Sequence, residues 1–435
     1  MLSNERDRRG GESNDRAVRR AGVAVFVVFL LSGVDFASWA SRLPAVRDSL
    51  GLDPAQVGLL LLVGAIGSLV SLPLSGVVVD RIGARRTVTS FAVLCAIGLL
   101  TASLGSALGT VALVIAGLVL FGVGTGVWDA AMNLAGVAVE QRLGRSIMPR
   151  FHAGFSVGTM IGAGIGAVAA ALHASVLAHL SIVIVASTVA VVWAVRAFLP
   201  GPRPHGAAMP APVDDADGAA AAAGAGGAAP VAPRPGAFAG WLEARTLMIG
   251  LIVFAAALTE GSANDWVSLS VVDGFGTTHT GGALAFGLFV TAMTAMRLLG
   301  TALLDRYGRI PVLRLAAGLA VVGLLLFGLV PSMPIALVGV ALWGVGAALG
   351  FPVGMSAASD DPARAAARVS VVSTIGYSAF LAGPPLLGLL ANQVGYRHAL
   401  LVIVIPVVAG LTVLRAAAPL RGPGVVDGDA AVPAR

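Results

Sequence analysis

Lysine is missing altogether, so every one of the 28 basic side chains is an arginine. Cysteine occurs once, as Cys95, which excludes an intrachain disulfide. Charged residues make up only 11% of the 435-residue chain, against roughly 25% in an ordinary soluble domain. That scarcity excludes a soluble globular protein. Aromatic residues are also sparse at 6%, and neither an aromatic ladder nor a block of like charge is present, so nucleic-acid binding is not expected despite a net charge of +6. A phosphate-cradling glycine loop, a metal-ligand cluster and a nucleophile constellation are all absent from the sequence. An enzyme, a cofactor or metal site and a directly ATP-driven pump are therefore not expected.

What the chain has in abundance is apolar sequence, 57% of its residues. Runs of the roughly 20 residues needed to cross a bilayer recur along it. They predict an all-α polytopic membrane protein with twelve spans, at 21–41, 54–79, 87–106, 109–139, 150–172, 175–199, 245–271, 281–304, 312–330, 333–357, 369–392 and 397–416. A Pro, Ala and Gly tract over 200–243 reads as a disordered cytoplasmic linker. It divides the chain into an N-terminal tail (1–20), a first six-helix bundle (21–199), a second (244–416) and a C-terminal tail (417–435), with both tails expected to be disordered. The first span follows a basic tail, but its length and its internal Asp35 favour a retained helix over a cleaved signal peptide. In this arrangement nearly all arginines fall on one face, and the opposite loops hold only Arg42, Arg47 and Arg397. The positive-inside rule then puts both termini in the cytoplasm of a plasma (inner) membrane protein.

The two halves repeat one another. Gly76, Asp80, Arg81, Gly83 and Arg85 sit between spans two and three; Gly300, Asp305, Arg306, Gly308 and Arg309 sit between spans eight and nine, 225 residues further on when Gly83 is matched to Gly308. The same shift carries Asp35 onto Glu260 and His152 onto Tyr377. Parallel six-helix repeats suit a carrier whose site lies between halves. The Gly, three-residue spacer, Asp-Arg, one residue, Gly, Arg pattern of the first loop, met again in the second with four residues between Gly300 and Asp305, resembles the loop signature of the major facilitator superfamily, and the resemblance in architecture covers almost the whole chain. It implies that Asp80 and Asp305 meet helix ends while Arg81, Arg85 and Arg306 form ion pairs, latching one state of an alternating-access cycle. The alternative is a pair of tight turns whose arginines only fix orientation.

Ionisable residues inside the apolar spans form the second signal. Each costs about 2.5 to 3.5 kcal/mol at mid-bilayer on insertion scales, so Asp35, Asp129, Glu260, Asp265 and Arg297 must face the interior, a partner or water. Helical spacing puts Asp35 with Trp39, Asp129 with Asn133, Glu260 with Asn264 and His152 with Ser156 on shared faces. A carboxylate beside an amide or a ring suits a hydroxylated solute. Trp128 and Trp266 add candidate ring surface, and Tyr377 completes the expected binding set. Acids in spans one and four, with the runs Arg150–Ser156 and Glu260–Trp266, resemble an uncharacterised inner-membrane branch near the fucose permeases. That resemblance ties Asp35 and Asp129 to proton coupling and sugar recognition, although span four offers Asp where those permeases have the longer Glu; separately, withdrawal from water makes proton loading accessible to Asp35, Asp129 or Glu260. A static polar lock of Glu260 with Arg297 remains open, as does an Arg297 that snorkels toward the cytoplasm. Asp360, Asp361, Arg364 and Arg368 read as a solvated ion-pair loop, and Asp273 and His279 as outer-loop residues without a role.

Gly154, Gly158, Gly162 and Gly166 form a small-residue ridge in span five, while Pro352 and Pro384–Pro385 predict kinks or breaks in spans ten and eleven. Span five lacks the Gly-Pro step of the drug antiporter branch. The expectation is a monomeric secondary transporter whose partners are the bilayer, a proton and a small, sugar-like solute, and no nucleic acid. A proton-coupled exporter of hydrophobic compounds and a non-transporting sensor are the alternatives.

Overall fold

The structure, a computed structural model, describes residues 2–144, 147–199, 239–361 and 364–420. Among them are fifteen α-helices and no strand. The first bundle comprises α1 (Leu2–Ala40), α2 (Leu43–Leu50), α3 (Pro54–Ile82), α4 (Ala84–Ala107), α5 (Val111–Leu143), α6 (Met148–Ala171) and α7 (Val176–Ala194). The second comprises α8 (Ala244–Phe275), α9 (His279–Tyr307), α10 (Arg309–Leu329), α11 (Met333–Ala347), α12 (Gly350–Ala358), α13 (Ala365–Val394), α14 (Tyr396–Ala399) and α15 (Val404–Thr412). Eleven helical segments are long and apolar enough to cross a membrane, and Tyr396–Thr412 supplies a shorter apolar twelfth. The helix beginning at Leu2 runs straight into the first span, so the segment read as a disordered tail starts a helix instead. Most of the expected linker and C-terminal tail lies outside the described residues. The linker's end at Ala239–Leu242 forms a 3-10 turn.

Proline accounts for two interruptions. The ring of Pro352 removes the N–H that the Ala348 carbonyl would accept; α11 stops at Ala347 and α12 restarts at Gly350. Pro406 similarly deprives the Val402 carbonyl, and a 3-10 turn over Leu400–Ile403 precedes α15. Pro384 and Pro385 break nothing: α13 runs without interruption from Ala365 to Val394. Packing holds it on both sides, since Gly58 of α3 lies against the Pro384 carbonyl and Leu258 of α8 against Gly383.

The repeat is visible in backbone geometry. Asp53 caps α3 and, 225 residues later, Thr278 caps α9, each accepting from the backbone N–H three residues on. Gly83 (φ +79°, ψ 153°) and Gly308 (φ +79°, ψ 168°) turn the two matched loops, and their N–H groups bond the Val79 and Leu304 carbonyls at 2.8 and 2.9 Å. A side chain at either position would be strained. The bundles meet along α3 against α13 and α6 against α9. Close approach at the first seam depends on missing side chains: a Cβ on Gly388 would stand 2.6 Å from the Pro54 carbonyl oxygen. The span-five ridge packs within its own bundle, with Gly154 on the Phe26 ring, Gly158 on the Leu30 carbonyl, Gly162 on Val34 and Gly166 on Ser41.

Candidate functional site

Side chains from the two bundles approach one another in two groups. From the first come Asp129 on α5 and His152 on α6, both exposed although their helices are apolar. From the second come Tyr377 on α13, also exposed, and half-buried Glu260 and Arg297 on α8 and α9. Across the seam Tyr377 lies near enough to the Asp129 carboxylate, and His152 to the Arg297 guanidinium, to feel its field. Exposure combined with this proximity of opposed bundles is compatible with a space between them. Tyr377 carries ring surface into it, lying 6.3 Å from Phe351 and 6.4 Å from Phe380 between centroids. His152 is held edge-on to Phe29 at 5.2 Å.

Arg297 does not snorkel. Its Nη2 donates to Glu260 Oε2 at 2.7 Å, and its Nε to the Ala348 carbonyl at 3.2 Å. That carbonyl is the acceptor stranded by Pro352, so the helix break and the ion pair share one guanidinium. Asp129 has no cationic partner among the described residues, and Asn133 on the same face donates to the Asp129 backbone carbonyl at 2.9 Å. Asn264 and Asp265, following Glu260 on α8, are half-buried.

Other expected site residues are elsewhere. Asp35 is buried inside the first bundle, where one carboxylate oxygen accepts from Ser187 of α7 at 3.0 Å and the other has no partner. Trp39, Trp128 and Trp266 are all buried in packing, and Trp266 leans on Tyr396 at 5.6 Å. The rings expected to stack on a solute therefore serve as core, because periodicity groups residues on a face without saying what that face meets. An apolar cleft between α8, α10, α11 and α15, with about 430 Å³ of empty volume, is lined by Ala, Gly and aliphatic side chains with Thr259 as its polar member. It holds no acid.

The end of the molecule poor in arginine is bolted shut between bundles. Arg47 of α2 pairs with Asp273 of α8, and Asp48 accepts from His279 Nε2 of α9 at 2.8 Å. The Arg47 guanidinium also lies 5.8 Å from the centre of the Tyr396 ring. Asp273 and His279 thus have a role that sequence reasoning denied them. Arg47 was the available signal, as one of three arginines on a face otherwise without basic residues.

At the opposite, arginine-rich end the repeated loops are open. Asp80, Arg81, Gly83, Arg85, Asp305, Arg306 and Gly308 are exposed, and Gly76 is half-buried. Neither Asp80 nor Asp305 pairs with an arginine among the described residues. The acids of the second bundle are engaged instead: Asp360 with Arg309 at 2.7 Å and Arg245 at 3.1 Å, and Glu243 with Arg368 at 2.6 Å and Arg364 at 3.0 Å. The Arg368 guanidinium holds the Glu243 carboxyl below its ordinary value of 4.5. These pairs staple the linker's end to α13, which goes beyond the loop-internal network expected of Asp361, Arg364 and Arg368.

Comparison with known proteins agrees with this architecture. The family model described as Major Facilitator Superfamily matches residues 25–259 and again 249–430. An uncharacterized transporter of Sinorhizobium fredii is 33% identical over 370 residues, 85% of this chain and 90% of its own length. An uncharacterized MFS-type transporter of Yersinia pestis is 31% identical over 375 residues, covering 85% and 88%. Among solved structures, the nucleoside transporter NupG superposes with a TM-score of 0.66 at 17% identity, over 91% of this chain and 98% of that one. A variant of the E. coli fucose:proton symporter FucP superposes with a TM-score of 0.57 at 14% identity, over 91% and 98%. At such identities the two structures speak for the fold alone. With two six-helix repeats, a matched pair of glycine-cornered loops and a family model spanning both halves, the chain belongs to the major facilitator superfamily and is a multi-pass membrane transporter.

Proposed function

We propose that the protein is a proton-coupled symporter that moves a small hydroxylated solute, sugar-like in its chemistry, across the plasma (inner) membrane by alternating access, with both termini cytoplasmic. The reading is supported by the approach of Asp129 to Tyr377, and of His152 to the Glu260–Arg297 pair, from opposed bundles. The roles divide by charge balance. Arg297 already neutralises Glu260, whereas Asp129 lacks a cation and is the group free to exchange a proton with water when the cavity is open and to carry it when closed. Asp35, sealed against Ser187, has a lesser claim to coupling than Asp129. Tyr377 offers a ring face and a hydroxyl, and Asn133, Asn264 and Asp265 border the same helix faces. A donor-and-acceptor lining with one aromatic surface suits hydroxyls better than the bulk of a hydrophobic drug. Solved neighbours named as a nucleoside transporter and a fucose:proton symporter accord with that class of solute.

The test is uptake into proteoliposomes under an imposed pH gradient, acid outside, with a panel of hexoses, polyols and nucleosides chosen by thermal-shift screening. Uptake accelerated by the gradient is expected. Asp129→Asn should abolish the driven component while leaving exchange between loaded vesicles. Driven uptake that survives this substitution removes Asp129 from the coupling role, and net export against the imposed gradient overturns symport.

A further inference from the structure

The turn between α1 and α2 buries a guanidinium at the arginine-poor end of the first bundle. Arg42 is 4% exposed; its Nη2 donates to the Ala174 carbonyl at 2.7 Å, while Nε and Nη1 have no partner. His179, in the first turn of α7, is also 4% exposed, and neither of its ring nitrogens is bonded. The two side chains are neighbours, because the Arg42 charge acts on the His179 ring and Ala174 immediately precedes the helix cap Ser175. On the third side α6 closes in: a Cβ on Gly166 would meet the Ser41 hydroxyl and stand 3.8 Å from His179 Cε1.

Buried polar groups are seldom left unbonded, and a guanidinium withdrawn from water without a counter-charge is strongly unfavourable. Here the Ala174 carbonyl offers one acceptor and no net charge. Arg42 has no carboxylate partner among the described residues. The other features of the pocket donate: two guanidinium nitrogens, an imidazole N–H, and the positive end of the 19-residue helix α7, capped where Ser175 Oγ accepts from Ala178 N at 3.1 Å. A pocket of donors with net positive charge selects an anion. The close packing of Gly166 on Ser41 and toward the His179 ring favours a compact anion over a branched oxyanion.

We propose that Arg42, His179 and the N-terminus of α7 bind a small monovalent anion of chloride's size, which ties the α1–α2 turn to α6 and α7. The site shares no residue with the central cavity, so it stands independently of the transport reading. It also lies beside α2, whose Arg47 and Asp48 bolt the bundles together, and its occupancy therefore supports that closure.

The test uses the purified full-length protein. Sodium chloride replaces sodium gluconate at constant ionic strength while Tm is followed, with bromide and sulfate as further arms. Chloride and bromide should raise Tm saturably, on the order of a few degrees, and sulfate should not. Arg42→Gln should lose the response, and His179→Ala should weaken the apparent affinity about tenfold or more. An identical Tm in gluconate and chloride overturns the proposal, leaving water as the bonding partner. A chloride response undiminished in Arg42→Gln overturns it as well. The gluconate comparison needs no variant, so a substitution that fails to fold leaves the proposal open to refutation.

Discussion

The two ends of the molecule differ in how the bundles are held. The arginine-rich end carries most of the charge, yet Asp80 and Asp305 stand unpaired there among the described residues. At the other end Arg47–Asp273 and Asp48–His279 tie α2 of the first bundle to α8 and α9 of the second, while Gly58 and Gly388 bring the α3 and α13 backbones together. Abundance of charge on a face therefore does not reveal where the halves hold. A few charges with fixed partners, beside a helix crossing that excludes side chains, do.

The sharpest way to break this contrast is at the crossing itself. Gly58→Leu forces a side chain onto the Pro384 carbonyl, and overpacking of this kind costs about 1 to 3 kcal/mol. The closed arm of the equilibrium should lose roughly ten- to a hundredfold in population. Labelling of a cysteine introduced near the seam reads this out, and buried Cys95 leaves a low background. Unchanged labelling would mean that the crossing does not govern closure. Next in size is Arg47→Gln, which removes the ion pair to Asp273 and the contact with Tyr396. Partly exposed pairs are worth about 0.2 to 1 kcal/mol, so a shift of a few-fold in the same labelling ratio is expected. The charge swap Arg47→Asp with Asp273→Arg should restore the ratio, and failure of that rescue would deny the pair a specific role.

Asp80→Asn sharpens the comparison from the other end. In this state Asp80 has no partner to lose, so thermal stability should stay within about 0.5 kcal/mol while the accessibility ratio changes through the alternate state. A ratio equal to that of the unaltered protein reduces the loop to a turn. The smallest effect is the pH response at the linker staple. Arg368 depresses the Glu243 carboxyl in the folded protein, so its contribution is complete above the unfolded value near 4.5 and fades as pH falls through the lower folded value. Glu243→Gln should flatten that acid limb of the melting curve. An acid limb as steep as before would assign the loss to other carboxylates.

Much of the fold was legible because bilayer thickness, proline chemistry and a 225-residue repeat leave direct marks in a sequence. The span starting at Pro54, the break at Pro352 and the paired corners Gly83 and Gly308 all follow from such marks. The site was legible only in kind. Asp129 lies toward Tyr377 and His152 toward the Arg297–Glu260 pair, but Asp35, which has the same apolar context and the same partner spacing, turns into its own bundle toward Ser187. Trp39, Trp128 and Trp266 share faces with acids or neighbour them, yet are spent on packing. Which neighbour a helix face meets depends on rotation of the whole helix, and no short spacing records that angle. Asp273 and His279 escaped notice for a related reason: their partners lie 226 and 231 residues away in the chain, in the other repeat.

Arg297 reaches in two directions at once, to a carboxylate in the central space and to the carbonyl orphaned where the tenth span breaks. Were a cargo to draw this guanidinium toward itself, the broken helix would lose its donor, and a helix that straightened or bent further would drag the cation with it. Loading and bending would then be a single motion, with the proline at 352 as the pivot through which a change at one oxygen atom would be felt along a whole transmembrane segment.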